Sequence, residues 1–315
     1  GRGGRDKIVP LPMKNISARP LQVALVCAAN FLALPSSVAR ITNTVLLADA
    51  APNKPVPIAA TAAADTRTAA QKDADTTKRW SVYWGWNRST YSHSDIHFKG
   101  SDHDFTIKDV EAKDMQSDVG GGGLFQYFLN PAEMTIPQTN MRLAYQYNAD
   151  TAVALNLDHM KYVVTQDQSV PIEGQIKGVT QSGQQVIADN WLNYEHTDGL
   201  NIVSLELEKQ RPVDWFGDNH HAKVFALAGV GVVIPKSNVT MHMVNQVRND
   251  EFHLSGYSVG VGAGLEVDVY KDVFFRTAYK YGYVNLPDVL TSARGDKAAQ
   301  SFTYNELLIA VGVRF

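Results

Sequence analysis

The stretch that decides the fold is the last one, Phe302-Thr-Tyr-Asn-Glu-Leu-Leu-Ile-Ala-Val-Gly-Val-Arg-Phe315. Every second residue from Leu307 to Phe315 is large and apolar, whereas the residues between them include Gly312 and Arg314. Side chains that alternate in this way over ten or more residues have the period of a β-strand and not that of a helix. The end of the chain is therefore predicted to be a long strand with one apolar face and one polar face.

The same period of two recurs in seven segments upstream of this strand. They cover residues 80–87, 141–147, 153–158, 203–208, 223–232, 257–269 and 273–283. The sequence thus predicts an all-β fold, a closed antiparallel transmembrane β-barrel of about eight strands. Two shorter segments, 105–110 and 186–194, either extend hairpins above the membrane or add a further pair of strands, and the sequence leaves both possibilities open.

The composition of the polar row indicates which face lies inside. In a soluble barrel the apolar row fills the core, but here the polar row combines glycines with isolated charges of both signs. Acidic and basic side chains of this kind are able to pair across a narrow lumen. The predicted lumen charges are Arg142, Asp158, Glu206, Glu208, Lys223, Glu266, Asp268, Arg276, Lys280, Glu306 and Arg314.

The outward row and the connections agree with a membrane barrel. Trp80, Tyr257 and Tyr281 stand near strand ends on the apolar row, where aromatic residues meet a membrane interface. Connections at 148–150 and 271–272 are short, and a third runs from about 210 to 220. The gaps on the other side, roughly 93–138, 165–198, 234–255 and 285–301, are long. This asymmetry predicts short periplasmic turns and long extracellular loops.

The residues before the barrel are predicted to serve export. We interpret 1–39 as a non-native leader followed by a secretory signal peptide that starts at Met13, with a basic region and then an apolar run over 21–34. Cleavage is expected after Ala39, with Ala50 as the second choice. Residues 40–78 are predicted to be a flexible Ala/Thr/Pro-rich periplasmic tail, with a short helix over 59–75 as the alternative. The barrel is assigned to 79–315.

Composition and charge exclude several classes of protein. The chain has one cysteine and is 44% hydrophobic, which excludes a disulfide scaffold and disfavours a disordered polymer. The formal net charge is −3, and the first 39 residues hold five basic residues and one acidic residue, so their removal leaves −7. Such a chain is not expected to bind nucleic acid.

Candidate sites for chemistry are few. His93, Asp95 and His97 would share one face of a continuing strand and are the candidates for a divalent metal, although a solvated hairpin tip explains them better. Gly260, Gly262 and Gly264 continue the strand alternation, whereas a nucleotide-binding loop needs a turn and then a helix. The sequence predicts no cofactor.

Several residues that could serve an enzyme map near the outer rim. They are Ser92, His93, Asp95, His159, His196 and His253. Nucleophilic catalysis needs a base within hydrogen-bond reach of the nucleophile, and no motif of a barrel hydrolase or acyltransferase accompanies these residues. We therefore predict that the protein is not an enzyme, and a lipid- or peptide-modifying activity remains the weakest of the alternatives.

Residues 304–315, which end on an aromatic side chain, resemble the terminal assembly signal of Gram-negative outer-membrane proteins. The eight strands are similar to the small-barrel group that includes the OmpA transmembrane domain and OmpW, over about residues 79–315. The resemblance implies an outer-membrane location, with membrane lipid, lipopolysaccharide and the barrel-assembly machinery as partners. Two functions follow as hypotheses: a structural or surface-recognition protein that acts through extracellular loops on an unknown ligand, or a narrow channel for small solutes.

Phe315 is predicted to act in assembly more than in the stability of the finished barrel. The terminal strand must close against the first strand, and its last aromatic residue lies at the periplasmic interface. Deleting Phe315 is expected to lower the amount of protein inserted in cells, measured as folded protein in the outer-membrane fraction. An unchanged amount would contradict the proposed assembly signal.

Overall fold

The computed structural model describes residues 78–114, 138–215 and 221–315. The signal peptide and nearly all of the tail predicted for 1–78 lie outside the described residues. Within the described ranges the fold is almost entirely β, with a single short 3-10 helix at His242–Val244. These ranges contain no helix that is long and apolar enough to span a bilayer.

The fold contains strands of two kinds, eight that close a ring and seven that extend it. In chain order they are β1 (Trp80–Tyr91), β2 (Ser94–Lys99), β3 (His103–Val110), β4 (Ala112–Lys113), β5 (Thr139–Asn148), β6 (Thr151–Val164), β7 (Gln168–Ile176), β8 (Val179–Ile187), β9 (Leu192–Val213), β10 (Ala222–Val233), β11 (Lys236–Met241), β12 (Gln246–Phe252), β13 (Gly256–Tyr270), β14 (Val273–Leu290) and β15 (Lys297–Arg314).

The ring runs β1-β5-β6-β9-β10-β13-β14-β15, and β15 pairs back with β1. Each of these pairings is antiparallel, and the closing one extends from Ser81 opposite Arg314 to Tyr91 opposite Tyr304. Closure leaves the ring without a free edge, as a β-structure in lipid requires. All eight segments predicted from the alternation lie in ring strands, so the predicted closed barrel is confirmed.

Several ring strands are much longer than a membrane crossing. β9 has 22 residues, and β14 and β15 have 18 each, whereas a tilted strand crosses a bilayer in about 9–11 residues. Much of the predicted long loops is therefore β-structure that continues the barrel upward. The segment 105–110 lies in β3, and the segment 186–194 covers the end of β8 and the start of ring strand β9, so together they add no further pair of strands to the ring.

The inward-facing row changes character along each long strand. On β14 the lower part of this row alternates apolar and charged residues, Phe274, Arg276, Ala278 and Lys280, whereas the upper part has the apolar Val284 and Leu286, all of them buried. The physical cause is the solvent outside the barrel. Where lipid surrounds the ring, apolar side chains point outward, and where water surrounds it, they point inward. We call the charged part the lumen half and the upper part the extension.

The extension has a large apolar core of its own. Phe98 on β2 stacks on Phe105 of β3 with ring centroids 5.1 Å apart, and it meets Tyr194 of β9 edge-on at 5.5 Å. Met160 and Tyr162 on β6 and Leu286 and Val289 on β14 belong to the same buried cluster. The upper end of the barrel is therefore filled with side chains in the manner of a soluble protein core.

Candidate functional site: the barrel lumen

Arg276 occupies the middle of the lumen half. Its guanidinium donates to Glu266 Oε2 at 2.8 Å and to Glu208 Oε2 at 2.5 Å, and its side chain is 1% exposed. The guanidinium carbon lies 3.5 Å from the centroid of the Phe225 ring. Phe225 has room because Gly264 faces it, where a Cβ atom would lie 2.5 Å from the ring. A charge that is buried this deeply needs opposite charges beside it, and both terminal nitrogens of Arg276 have them.

The other buried cations join Arg276 in one network. Arg142 donates to Glu206 at 2.9 Å and to Glu208 at 2.8 Å. Lys280 contacts Asp158 at 3.2 Å and Glu206 at 3.1 Å. Because Glu206 and Glu208 each bind two cations, ion pairs cross the lumen without a break from Lys280 to Arg276.

The periplasmic end of the network is centred on Glu266. Lys223 contacts this carboxylate at 2.9 Å and Arg314 contacts it at 2.6 Å, and Arg314 also reaches Asp268 at 2.7 Å. These side chains are partly exposed at the mouth of the barrel. The lumen is thus bridged by ion pairs from its periplasmic mouth to the level of Asp158.

Glu306 differs from the other predicted lumen residues. It faces inward beside Lys280 in the β14–β15 register and is fully buried. Neither of its carboxyl oxygens has a hydrogen-bond partner among the described residues, because the ammonium group of Lys280 points to Asp158 and Glu206. Six acidic side chains meet five basic ones in this row, and Glu306 is the surplus carboxyl.

Little space remains in the bore. One cavity of about 20 Å³ lies among Ser204, Gly229, Gly231, Ser258 and Gly260, with Lys280 and Tyr304 closing its sides. A volume of this size holds about one water molecule. The small residues of the inner row therefore accommodate long side chains from the opposite wall and leave no open passage at this level.

The outward row of the lumen half is apolar and exposed. It includes Trp84, Leu155, Leu205, Val230 and Val311, each between 40% and 62% exposed. Apolar side chains outside and paired charges inside are stable only where lipid surrounds the ring. The chain is an eight-stranded outer-membrane barrel. The sequence-based expectations of this group and of this location are confirmed.

The similarity of this chain to known proteins is confined to solved structures. No protein family and no curated protein matches the sequence. Among solved structures, the barrel is similar to Neisserial surface protein A, with a TM-score of 0.34 and 13% identity over 75% of this chain and 97% of that one. Ail, the attachment invasion locus protein of Yersinia pestis, matches with a TM-score of 0.28 and 12% identity over 76% and 99%. OprG from Pseudomonas aeruginosa matches with 0.30 and 10% over 76% and 96%.

The candidate metal ligands contact residues of β3 and do not converge on one point. His97 Nε2 lies 2.7 Å from Asp104 Oδ1, and His93 Nδ1 lies 3.0 Å from Asp109 Oδ1. Asp95 accepts the backbone N–H of Asp109 at 2.9 Å. The hydrogen bond from His97 lowers the pKa of Asp104. These contacts tie β2 to β3, and the described residues contain no group of three metal-binding side chains.

The histidines at the outer rim are separated in the same way. His159 Nδ1 is 2.7 Å from Asn201 Oδ1, and His253 Nε2 is 3.4 Å from Asp288 Oδ2. Ser92 accepts the backbone N–H of Thr303 at 3.0 Å. Each of these side chains therefore has a local structural contact, and the geometry brings none of them to a shared catalytic centre.

His196, which the sequence placed near the outer rim, instead lies in a buried polar cluster inside the apolar extension that the sequence did not predict. His196 Nδ1 lies 2.9 Å from Ser237 Oγ, and its Nε2 lies 3.3 Å from the amide nitrogen of Gln300. Tyr162 and Tyr194 flank the ring, and burial lowers the pKa of His196 to about 3. If the inward positions of β9 had been continued in steps of two residues toward the extracellular end of the strand, they would have included His196 and placed it in the core.

Arg276→Met is expected to destabilise the barrel because it leaves Glu208 and Glu266 without their central cation. Removing one partner of a buried ion pair costs about 3–5 kcal/mol, measured as the free energy of unfolding in a urea titration of protein in lipid vesicles. Arg248→Met is the control, since Arg248 is 57% exposed and pairs with Asp250, and it should cost less than about 1 kcal/mol. Equal losses would contradict the central role of Arg276.

The extension is expected to lose stability as the pH falls, because the pKa of His196 is lower in the folded state than in the unfolded state. Below about pH 6.5 the unfolded chain binds a proton that the folded core excludes, so the free energy of unfolding falls by about 1.4 kcal/mol per pH unit. Hydrogen exchange of β9 and β11 amides should show a loss of about 3 kcal/mol between pH 6.5 and pH 4.

His196→Gln keeps a neutral hydrogen-bonding side chain and should remove most of this pH dependence. His97→Gln, at a half-exposed position, is the matched control and should leave the pH dependence in place. A pH dependence that survives in His196→Gln would contradict the assignment.

Proposed function

We propose that the barrel is a non-conducting outer-membrane protein that acts through contacts made by its extracellular extension. The observation that carries this proposal is closure of the bore at two successive levels. An eight-stranded barrel has an interior just wide enough for side chains to fill it. Ion pairs fill the lumen half and apolar side chains fill the extension. Both oppose the passage of a solute.

The first level is the ion-pair network. A polar solute would have to displace Arg276 from Glu208 and Glu266, and each group left behind would be a buried charge without a partner. The second level is the apolar core above it, where Phe98, Phe105, Tyr162 and Tyr194 are at most 1% exposed. A solute that passed one level would meet the opposite chemistry at the next, which disfavours the narrow-channel alternative.

The extension is built to present a rigid surface. Its core holds β2, β3 and β7 in place, and the β7–β8 hairpin projects from it with most of β8 exposed. Binding residues commonly lie on segments held by such a scaffold. We infer that the ligand is recognised on this surface and not in the bore.

Strand β8 is the element best suited to recognition. Among the described residues it pairs with β7 alone, and it contains no charged residue. Another edge strand, β12, carries Arg248, Asp250 and Glu251, and charges on an edge discourage pairing with another chain. The backbone groups along the free edge of β8 are therefore available to add a strand from a partner.

Purified barrel in a planar bilayer is expected to show no steady open conductance, because both levels of the bore are filled. A porin of about 16 strands in the same bilayer is the positive control. A steady conductance abolished by Gly231→Leu or Gly262→Leu would overturn the proposal and favour the channel, since both glycines lie on the inner row and their Cβ atoms would enter the lumen.

A further inference from the structure

The lipid-facing belt of the barrel is uneven in height. Each ring strand contributes a run of outward apolar side chains in the lumen half, and the runs differ in length. On β6 the run has three members, Val153, Leu155 and Leu157. On β9 it also has three, Val203, Leu205 and Leu207. On β13 the run has seven members, Tyr257, Val259, Val261, Ala263, Leu265, Val267 and Val269.

The difference amounts to most of a bilayer. With a rise of about 3.3 Å per residue and a strand tilt of about 40°, three alternating positions span about 10 Å along the membrane normal, and seven span about 30 Å. Strand β10, with five members, and strand β15, with four, lie between these extremes. The belt is thus uneven, thin along β6–β9 and tall along β13.

Polar contacts limit the thin side of the belt at both edges. On the periplasmic edge, Lys209 Nζ binds Asp150 at 3.2 Å and Thr151 Oγ1 at 2.7 Å. On the extracellular edge, Asn201 follows Val203 upward and is hydrogen-bonded to His159. Each of these groups is hydrogen-bonded within the barrel wall. Lipid tails at their level would nevertheless remove the charged pair of Lys209 and Asp150 from water, which costs free energy even for paired charges.

Tilting the barrel cannot remove this mismatch. A tilt shifts both edges of the belt together on each side, so the thin side remains thin relative to the hydrocarbon core of about 30 Å. Covering the face with a second copy is also disfavoured, because six outward side chains are far fewer than the roughly 20–30 residues a side of a stable interface. A bilayer that becomes thinner at this face meets the requirement.

We propose that the barrel thins the outer membrane along its β6–β9 face. The partner of this face is membrane lipid with short or disordered acyl chains, and the two leaflets approach each other most closely there. This interaction surface is independent of the extension and of whether the bore conducts.

The test measures lipid cover at matched positions. Cys27 is the single cysteine of the chain and lies in the predicted signal peptide, and Cys27→Ser ensures a cysteine-free background for one nitroxide label at a time. Asn201→Cys and Lys209→Cys lie on the outward row of β9, eight residues apart. Val259→Cys and Val267→Cys have the same spacing on β13. Collision of each label with oxygen and with a water-soluble nickel chelate is measured in phosphatidylcholine vesicles with 16- and 18-carbon chains.

Thinning predicts that the β9 labels collide several-fold more with nickel than the β13 labels, which should collide preferentially with oxygen. If the β9 labels are as protected from nickel as the β13 labels, the bilayer keeps its full thickness and the proposal is wrong. Protection from both reagents with dipolar broadening would mean that a second copy covers the face, which also overturns it. Replacing Asn201 removes its hydrogen bond to His159, so Thr139→Cys on β5, the neighbour of β6, repeats the measurement at the extracellular edge. Gel mobility before and after heating verifies that each variant is folded.

Discussion

The pairing of β15 with β1 is the constraint on which the rest of the structure depends. It satisfies the last row of backbone hydrogen bonds, and in lipid no unpaired row could be tolerated. It also sets the bore at eight strands, a width that side chains fill. Charged residues on the inner row are therefore forced close to one another and to the opposite wall. The ion-pair network around Arg276 is the consequence of closing a narrow ring on a polar face.

The second organising feature is the change of solvent along the strands. The same strands pass from lipid into water. Apolar side chains face outward on the lipid side of that boundary and inward on the water side. On β14 the inner row passes from Lys280 through Gly282 to Val284, and the ring of Tyr304 packs over the glycine, where a Cβ atom would lie 2.4 Å from it. Because the strands do not stop at the membrane, the described part of the extension is built on the same paired strands as the barrel.

Much of the barrel could be predicted from the sequence. The alternating rows identified all eight ring strands and placed Arg142, Asp158, Glu206 and Arg276 on the polar face. The partners of these charges could not be predicted. Arg276 bonds Glu208 and Glu266, and Lys280 turns to Asp158 and Glu206, while Glu306, its neighbour across the strand pair, accepts no hydrogen bond from Lys280. Such choices depend on the stagger between strands and on the distance across the closed ring.

The extension was less predictable from the sequence than the ring. Short apolar alternations such as Ile96 with Phe98 and Phe105 with Ile107 are present in the sequence, but they become strands by pairing with distant segments, as β2 does with β15 and β3 with β7. Local pattern by itself determined that this chain has strands, which face of each is polar, and that the polar face carries balanced charge. The tertiary structure alone decided which charges meet, where the inner row turns apolar, and how tall the lipid-facing belt is on each side. The reason is that a period of two is a local property of the chain, whereas stagger, closure and the level of each residue in the wall are set by partners far away in sequence.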